Sequence, residues 1–254
     1  MFVVAIVVSM LGVGGGVLYT PIQVFFGINF HVAATTSLFL IMVTSLSATL
    51  VFRKAHKVDW PLAIVLETVT TLGGLLGGLV SDWFSGGILS VIFALVLVFA
   101  AILTLREFRI SIDSLHLKEG FPYWHRNLGA QQYNVNLLVA LPGSFVAGLA
   151  SGLLGVGGGI LKIPLMVLLL GIPMDIAVGS SAFMVGLTAS GGFTGHVISG
   201  HWDWRISLVL AVAVFIGGQI GARKSIGIAK EKIKKIFGWF LLAIAALMII
   251  NVIK

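Results

Sequence analysis

The chain has 254 residues, 58% of them hydrophobic and only 10% charged, with a mean hydropathy of +1.10. A water-soluble domain carries roughly a quarter charged residues, so a soluble fold is excluded and an all-α polytopic protein of the lipid bilayer is expected. With no cysteine there are no disulfides or thiolate-ligated metals; the net charge of +7 gathers at residues 53–57 and 223–235 rather than forming a nucleic-acid face, so no nucleic acid partner is expected.

The first apolar stretch, residues 2–27, is interrupted by Gly12, Gly14, Gly15 and Gly16. Its beginning has the hydrophobicity of a signal peptide without the basic region or small-residue cleavage site, so it reads as part of the mature fold. Spans follow at 32–52, 61–81 and 87–105, each near the ~20 residues that cross ~30 Å of hydrocarbon. Residues 106–134 are polar and read as a connecting loop. The second half has an apolar stretch at 135–171, broken by Gly155, Gly157, Gly158 and Gly159, then spans at 177–199, 205–222 and 236–253.

The two halves repeat. Leu11-Gly-Val-Gly-Gly-Gly-Val-Leu-Tyr-Thr-Pro21 returns as Leu154-Gly-Val-Gly-Gly-Gly-Ile-Leu-Lys-Ile-Pro164. Beyond it Gly27, Ser37, Thr44, Asp59-Trp60, Gly73 and Gly77 match Gly171, Ser181, Thr188, Asp203-Trp204, Gly217 and Gly221 at one offset. The organisation expected is a first repeat (1–105), a connecting loop (106–134) and a second repeat (135–254), as in many secondary transporters.

Charge orients the copies. The loop at 53–57 is basic and that at 82–87 carries no Lys or Arg, whereas 200–204 lacks basic residues other than His and 223–235 is strongly basic. Basic loops stay cytoplasmic, so equivalent loops fall on opposite sides and the repeat is inverted. Parity then requires segment 135–171 to begin and end on one side, as a re-entrant hairpin or as two crossings. The halves flanking the first glycine cluster are each ~16 Å long as helices, which favours hairpins with tips near the midplane. Each copy is therefore a glycine-broken helical hairpin plus three transmembrane helices.

Glycine allows a sharp turn and close backbone approach, and half-helices opening after such a break point free N–H groups at an anion. This makes Gly14, Gly15, Gly16, Gly157, Gly158 and Gly159 candidate binding residues. Gly73, Gly77, Gly217 and Gly221 instead suit close helix packing. Lys162 follows the second cluster at membrane depth, where Tyr19 stands in the first copy. It either presents charge to a bound anion or snorkels to the interface. The hydroxyl residues Thr35, Thr36 and Ser37, with Ser180 and Ser181 in the second copy, either line a polar cavity or bond back to their own helices. Glu67 and His196 are candidate proton relays. Asp59-Trp60 and Asp203-Trp204 read as a helix cap and an interfacial anchor.

No Walker A, H-E-x-x-H or G-x-S-x-G pattern occurs, so no cofactor, metal site or enzyme is expected. The nearest approach to a nucleophile–base pair is His196 with Ser180 or Ser181.

The duplicated Gly-x-Gly-Gly-Gly-x-x-x-x-Pro element at Gly12 to Pro21 and Gly155 to Pro164, each followed by a small-hydroxyl triplet, resembles the sulfite exporter TauE/SafE family over nearly the whole chain. The resemblance implies a secondary active transporter of the prokaryotic inner membrane, coupled to an ion gradient. It would export a small organic or inorganic sulfur anion (sulfite, sulfoacetate or a related sulfonate) and exist alone or as a homodimer. It implies substrate contacts at the glycine elements and triplets. An anion channel with the same cradle is the alternative. Family members usually carry an apolar residue in place of Lys162, and Thr35-Thr36 replaces a more typical Gly-Thr.

Overall fold

The computed structural model describes residues 1–11, 16–105, 120–128, 131–225, 238–239, 241–246 and 248–249. Gly14, Gly15, most of the joining segment and eight of the eighteen residues of the expected span 236–253 lie outside these residues. Two ten-residue helices come first, α1 (Phe2–Leu11) and α2 (Gly16–Phe25). Then follow α3 (Phe30–Lys54), α4 (Trp60–Val80) and α5 (Gly86–Leu105). A hairpin of β1 (Tyr123–Leu128) and β2 (Gln131–Asn136) precedes α6 (Leu137–Leu154), α7 (Gly159–Pro164), α8 (Met174–Ile198) and α9 (Trp204–Ser225). Among the described residues, five helices are long and apolar enough to cross a membrane, namely α3, α4, α6, α8 and α9. The chain is an all-α polytopic membrane protein with one small sheet.

That sheet departs from the sequence reading, in which 106–134 is a loop. Tyr123 pairs with Asn136 and Leu128 with Gln131 in an antiparallel ladder. The ladder is anchored by Tyr133 and Val135, which are buried, and by Arg126. Arg126 and the Tyr133 hydroxyl both bond the Asp59 carboxylate. Asp59 also caps α4 by accepting from the Leu62 N–H at 3.2 Å, and Asp203 caps α9 through the Arg205 and Ile206 N–H groups. Both Asp-Trp pairs thus start helices, as their spacing predicts.

The glycine-broken segment of the second half folds back on itself. Leu154 ends α6, Gly155 takes a left-handed conformation (φ 70°), and Gly158, also left-handed (φ 75°), starts α7. Pro164 has no N–H with which to continue the ladder, and the chain widens into one π-helical turn over Leu165–Leu169. Both ends of this hairpin lie beside Asp59. Tyr133, just before α6, donates to its carboxylate at 2.5 Å, and Ser180, early in α8, accepts its backbone N–H at 3.0 Å. The limbs are unequal: α6 has 18 residues, ~27 Å of helix, against six in α7. From the first half, Thr20 in α2 donates to the Gly155 carbonyl at 3.1 Å, so the two glycine-broken segments touch.

Packing between helices follows the repeat. A Cβ on Gly73 would lie 2.4 Å from the Phe145 carbonyl oxygen, and one on Gly217 would lie 2.6 Å from that of Phe2. Gly77 meets Leu149, and Gly221 meets Ile6, in the same way. Each first hairpin limb therefore lies against the glycine stripe of the other half, α1 on α9 and α6 on α4. Backbones this close exchange side-chain volume for dispersion contact along the whole crossing, which is how helices associate without a hydrophobic drive in lipid.

Candidate buried ionic site

Lys162 sits one turn after the Gly158 cap and points into the space between α4 and α8. Its side chain is 1% exposed and that of Glu67, on α4, is 2% exposed. The ammonium Nζ donates to Glu67 Oε2 and to the Thr188 hydroxyl, each at 2.5 Å. Thr188, on α8, donates to Glu67 Oε1, and Thr71 donates to the same oxygen at 3.0 Å. Glu67 thus accepts from three donors. Removing two charges from water is costly unless each is paired and hydrogen-bonded, and this arrangement meets both conditions. Lys162 does not snorkel. One of its three ammonium protons has no partner among the described residues.

The glycine turn lies against this pair. A Cβ on Gly158 would stand 3.4 Å from Lys162 Cε and 3.5 Å from Ser151 Oγ. The Ser151 hydroxyl is buried and has no hydrogen-bond partner, as is also true of Ser144. Among the described residues, no backbone acceptor faces the N–H groups of Gly157, Gly158 or Gly159. A free ammonium proton and an open hydroxyl therefore meet beside Gly158, in a buried region. Ser151 was not legible as a site residue, because a lone serine in an apolar helix more often bonds back to its own turn.

The first half has a related contact with different chemistry. The Tyr19 hydroxyl donates to Thr44 Oγ1 at 3.0 Å, and Thr44 donates to the Leu40 carbonyl. These positions align with Lys162 and Thr188, so the repeat keeps the contact and changes its charge. Position 67 aligns with Ala211, so the second copy has no carboxylate at that position.

The other candidates divide. Thr35 donates to the His31 carbonyl within its own helix, and Ser37 accepts from Gln23 at 2.9 Å. Thr36 Oγ1 is buried without a partner. Ser180 is engaged by the Asp59 N–H, toward the start of α8, and Ser181 beside it is partnered as well. His196 lies near the opposite end of that helix, its Nε2 2.9 Å from the Gly152 carbonyl. Sixteen residues of helix, ~24 Å, separate His196 from Ser180, so the nucleophile–base pair of the enzyme reading is not assembled. Glu67 and His196 likewise belong to separate clusters.

Apolar crossing helices around a charge pair sealed from water make this a polytopic membrane protein with a polar centre, and its relatives are membrane transporters. A family model described as "Sulfite exporter TauE/SafE" matches residues 1–248, and the chain belongs to that family. It is 32% identical over 231 residues to "Probable membrane transporter protein YunE" of Bacillus subtilis, covering 84% of this chain and 82% of that one. A protein of Xylella fastidiosa named "Probable membrane transporter protein" is 27% identical over 256 residues, covering 97% and 91%. "Probable membrane transporter protein MJ0441" of Methanocaldococcus jannaschii is 26% identical over 264 residues, covering 95% and 92%. No solved structure matches the chain.

Proposed function

We propose that this transporter exports a small sulfur oxyanion, sulfite or a sulfonate, across a prokaryotic inner membrane, and that Lys162 is its anchor. The observation that carries this reading is the Lys162 ammonium, buried beside the Gly157–Gly159 turn with one proton uncommitted. Hydrogen bonds to an ionised partner are the strong ones, and an oxyanion offers acceptors to Lys162, Ser151 and the glycine N–H groups together. Gly14, Gly15, Gly16, Thr35, Thr36, Ser37, Ser180 and Ser181 are the further substrate contacts of this reading. Sulfite itself comes from the family description.

Glu67 makes the site ion-coupled. An anion that takes Lys162 leaves Glu67 without its full counter-charge, and an unpaired buried charge is expensive. A proton on Glu67 restores neutrality, so anion and proton load together. The halves 1–105 and 135–254, joined by 106–134, act as inverted repeats that rock about this centre, with residues 53–57 and 223–235 on the cytoplasmic side.

Proteoliposome flux tests the reading. Efflux of sulfite should saturate, respond to an imposed pH gradient and vanish in Lys162→Met. Glu67→Gln should transport without responding to the gradient. Ohmic current without saturation would mean an anion channel instead, and no sulfite or sulfonate flux at all would sink the substrate assignment.

A further inference from the structure

Three histidines that share no sequence motif meet at the end of the bundle away from Asp59. His31 stands in the first turn of α3, His196 near the end of α8, and His201 in the turn between α8 and α9. One ring nitrogen from each lies within 4.8 Å of the others. His31 and His201 stack with centroids 4.7 Å apart, and His196 meets His201 edge-on at 6.1 Å.

Hydrogen bonds fix which nitrogen His196 and His201 leave open. His196 Nε2 faces the Gly152 carbonyl, which only accepts, so Nε2 carries the proton and Nδ1 presents a lone pair. Ser81 lies 3.3 Å from that Nδ1, but its one hydroxyl proton goes to the Gly78 carbonyl at 2.6 Å. His201 Nε2 lies 3.3 Å from the Asp82 carboxylate, and His201 Nδ1 is buried without a partner. His31 Nδ1 is likewise buried without a partner. Three Nδ1 atoms are therefore left without donors, and two of the rings hand their other nitrogen to a carboxylate or a carbonyl.

We infer that His31, His196 and His201 form a binding site for a divalent transition-metal ion, with zinc its best-fitting occupant. Three neutral imidazoles plus one open position suit zinc's tetrahedral preference, and imidazole nitrogen selects zinc, copper and nickel over calcium and magnesium. The carbonyl on His196 and the carboxylate on His201 are the outer-shell acceptors that orient metal-bound histidines. Bonds of ~2.05 Å at tetrahedral angles need nitrogens ~3.3 Å apart, so the half-buried His31 and His201 rings must rotate out of their stack for both lone pairs to reach one ion. Asp82 and His201 are partly exposed (41% and 24%), which opens an entry path. A bound ion would tie α3 to α8, across the two halves of the repeat. Its carboxylate, Asp82, has no part in the Lys162 centre, so the metal site stands whether or not the anion reading does.

Isothermal titration of zinc chloride into the tag-free full chain in detergent tests this. One saturable site per chain is expected, with affinity falling at least tenfold in His201→Ala and in His31→Ala and about tenfold in Asp82→Asn. His56→Ala is expected to bind as wild type does. Cobalt in place of zinc should give the visible absorption of a tetrahedral nitrogen-ligated ion. Because His201 is partly exposed, its variant keeps the fold, which a metal-free melting curve verifies. No saturable zinc binding, or His201→Ala binding as tightly as wild type, would overturn the site.

Discussion

Glu67 and Lys162 are 95 residues apart in the chain and face each other at 2.5 Å in a region closed to solvent. One comes from each half of the repeat, so the ion pair is an interface contact between the halves as well as a polar centre.

Deleting one member should cost more than deleting both. Lys162→Met leaves a buried carboxylate unpaired, which costs about 3–5 kcal/mol, whereas replacing both charges is often close to neutral. Lys162→Met/Glu67→Gln should therefore melt several degrees above Lys162→Met in detergent while remaining inactive in flux. If the double variant transported at wild-type rate, Lys162 would be structural only.

Thr188 bridges the pair. Thr188→Val removes a hydroxyl that accepts from Lys162 and donates to Glu67, at a cost of about 1–3 kcal/mol for the groups left unsatisfied. Thr44→Val, at the aligned position, deprives a neutral tyrosine instead. The expected result is a larger Tm loss at position 188 than at 44, read by thermal denaturation of the two purified variants.

Glycines at the crossings should differ sharply from glycines elsewhere. A Cβ on Gly152 would sit 1.9 Å from the Gly74 carbonyl oxygen and one on Gly148 2.1 Å from that of Thr70, both rigid backbone. Gly87, in α5, has nothing within 4 Å. Gly152→Ala and Gly148→Ala should abolish recovery of monodisperse protein in size-exclusion chromatography, and Gly87→Ala should leave it unchanged.

Asp59 supplies a pH dependence at the membrane edge. Burial pushes its carboxyl up, but the bonds from Arg126, Tyr133 and the Leu62 N–H outweigh burial and hold it below the ordinary carboxylate range. Arg126 is raised in return by its bond to Asp59. A carboxyl lowered on folding contributes stability above its unfolded value, near ~3.9, and loses it as pH falls through the folded value. The Tm difference between wild type and Asp59→Asn should therefore be constant from about pH 5 to about pH 8 and shrink below about pH 4. A difference that grew on acidification would contradict the assigned pairing.

Membrane class, the glycine break at Gly155–Gly158 and the aspartate caps were all legible in the sequence, because each is a local property. Apolar run length sets a span, a glycine cluster breaks a helix, and an aspartate before Trp-Pro or Trp-Arg caps the next one. The β1–β2 hairpin was missed although Gly129 sits between two short runs that hold Tyr123, Trp124 and Tyr133. Its stability comes from Arg126 and Tyr133 reaching Asp59, sixty residues or more away. For the same reason Lys162 was visible as a charge at membrane depth and its partner was not. Glu67 carries no spacing relation to it, and only the crossing of α4 with α7 and α8 brings them together. The three histidines are the extreme case. Residues 31, 196 and 201 form no ligand motif along the chain, and side-chain convergence across separate helices is set by tertiary packing alone.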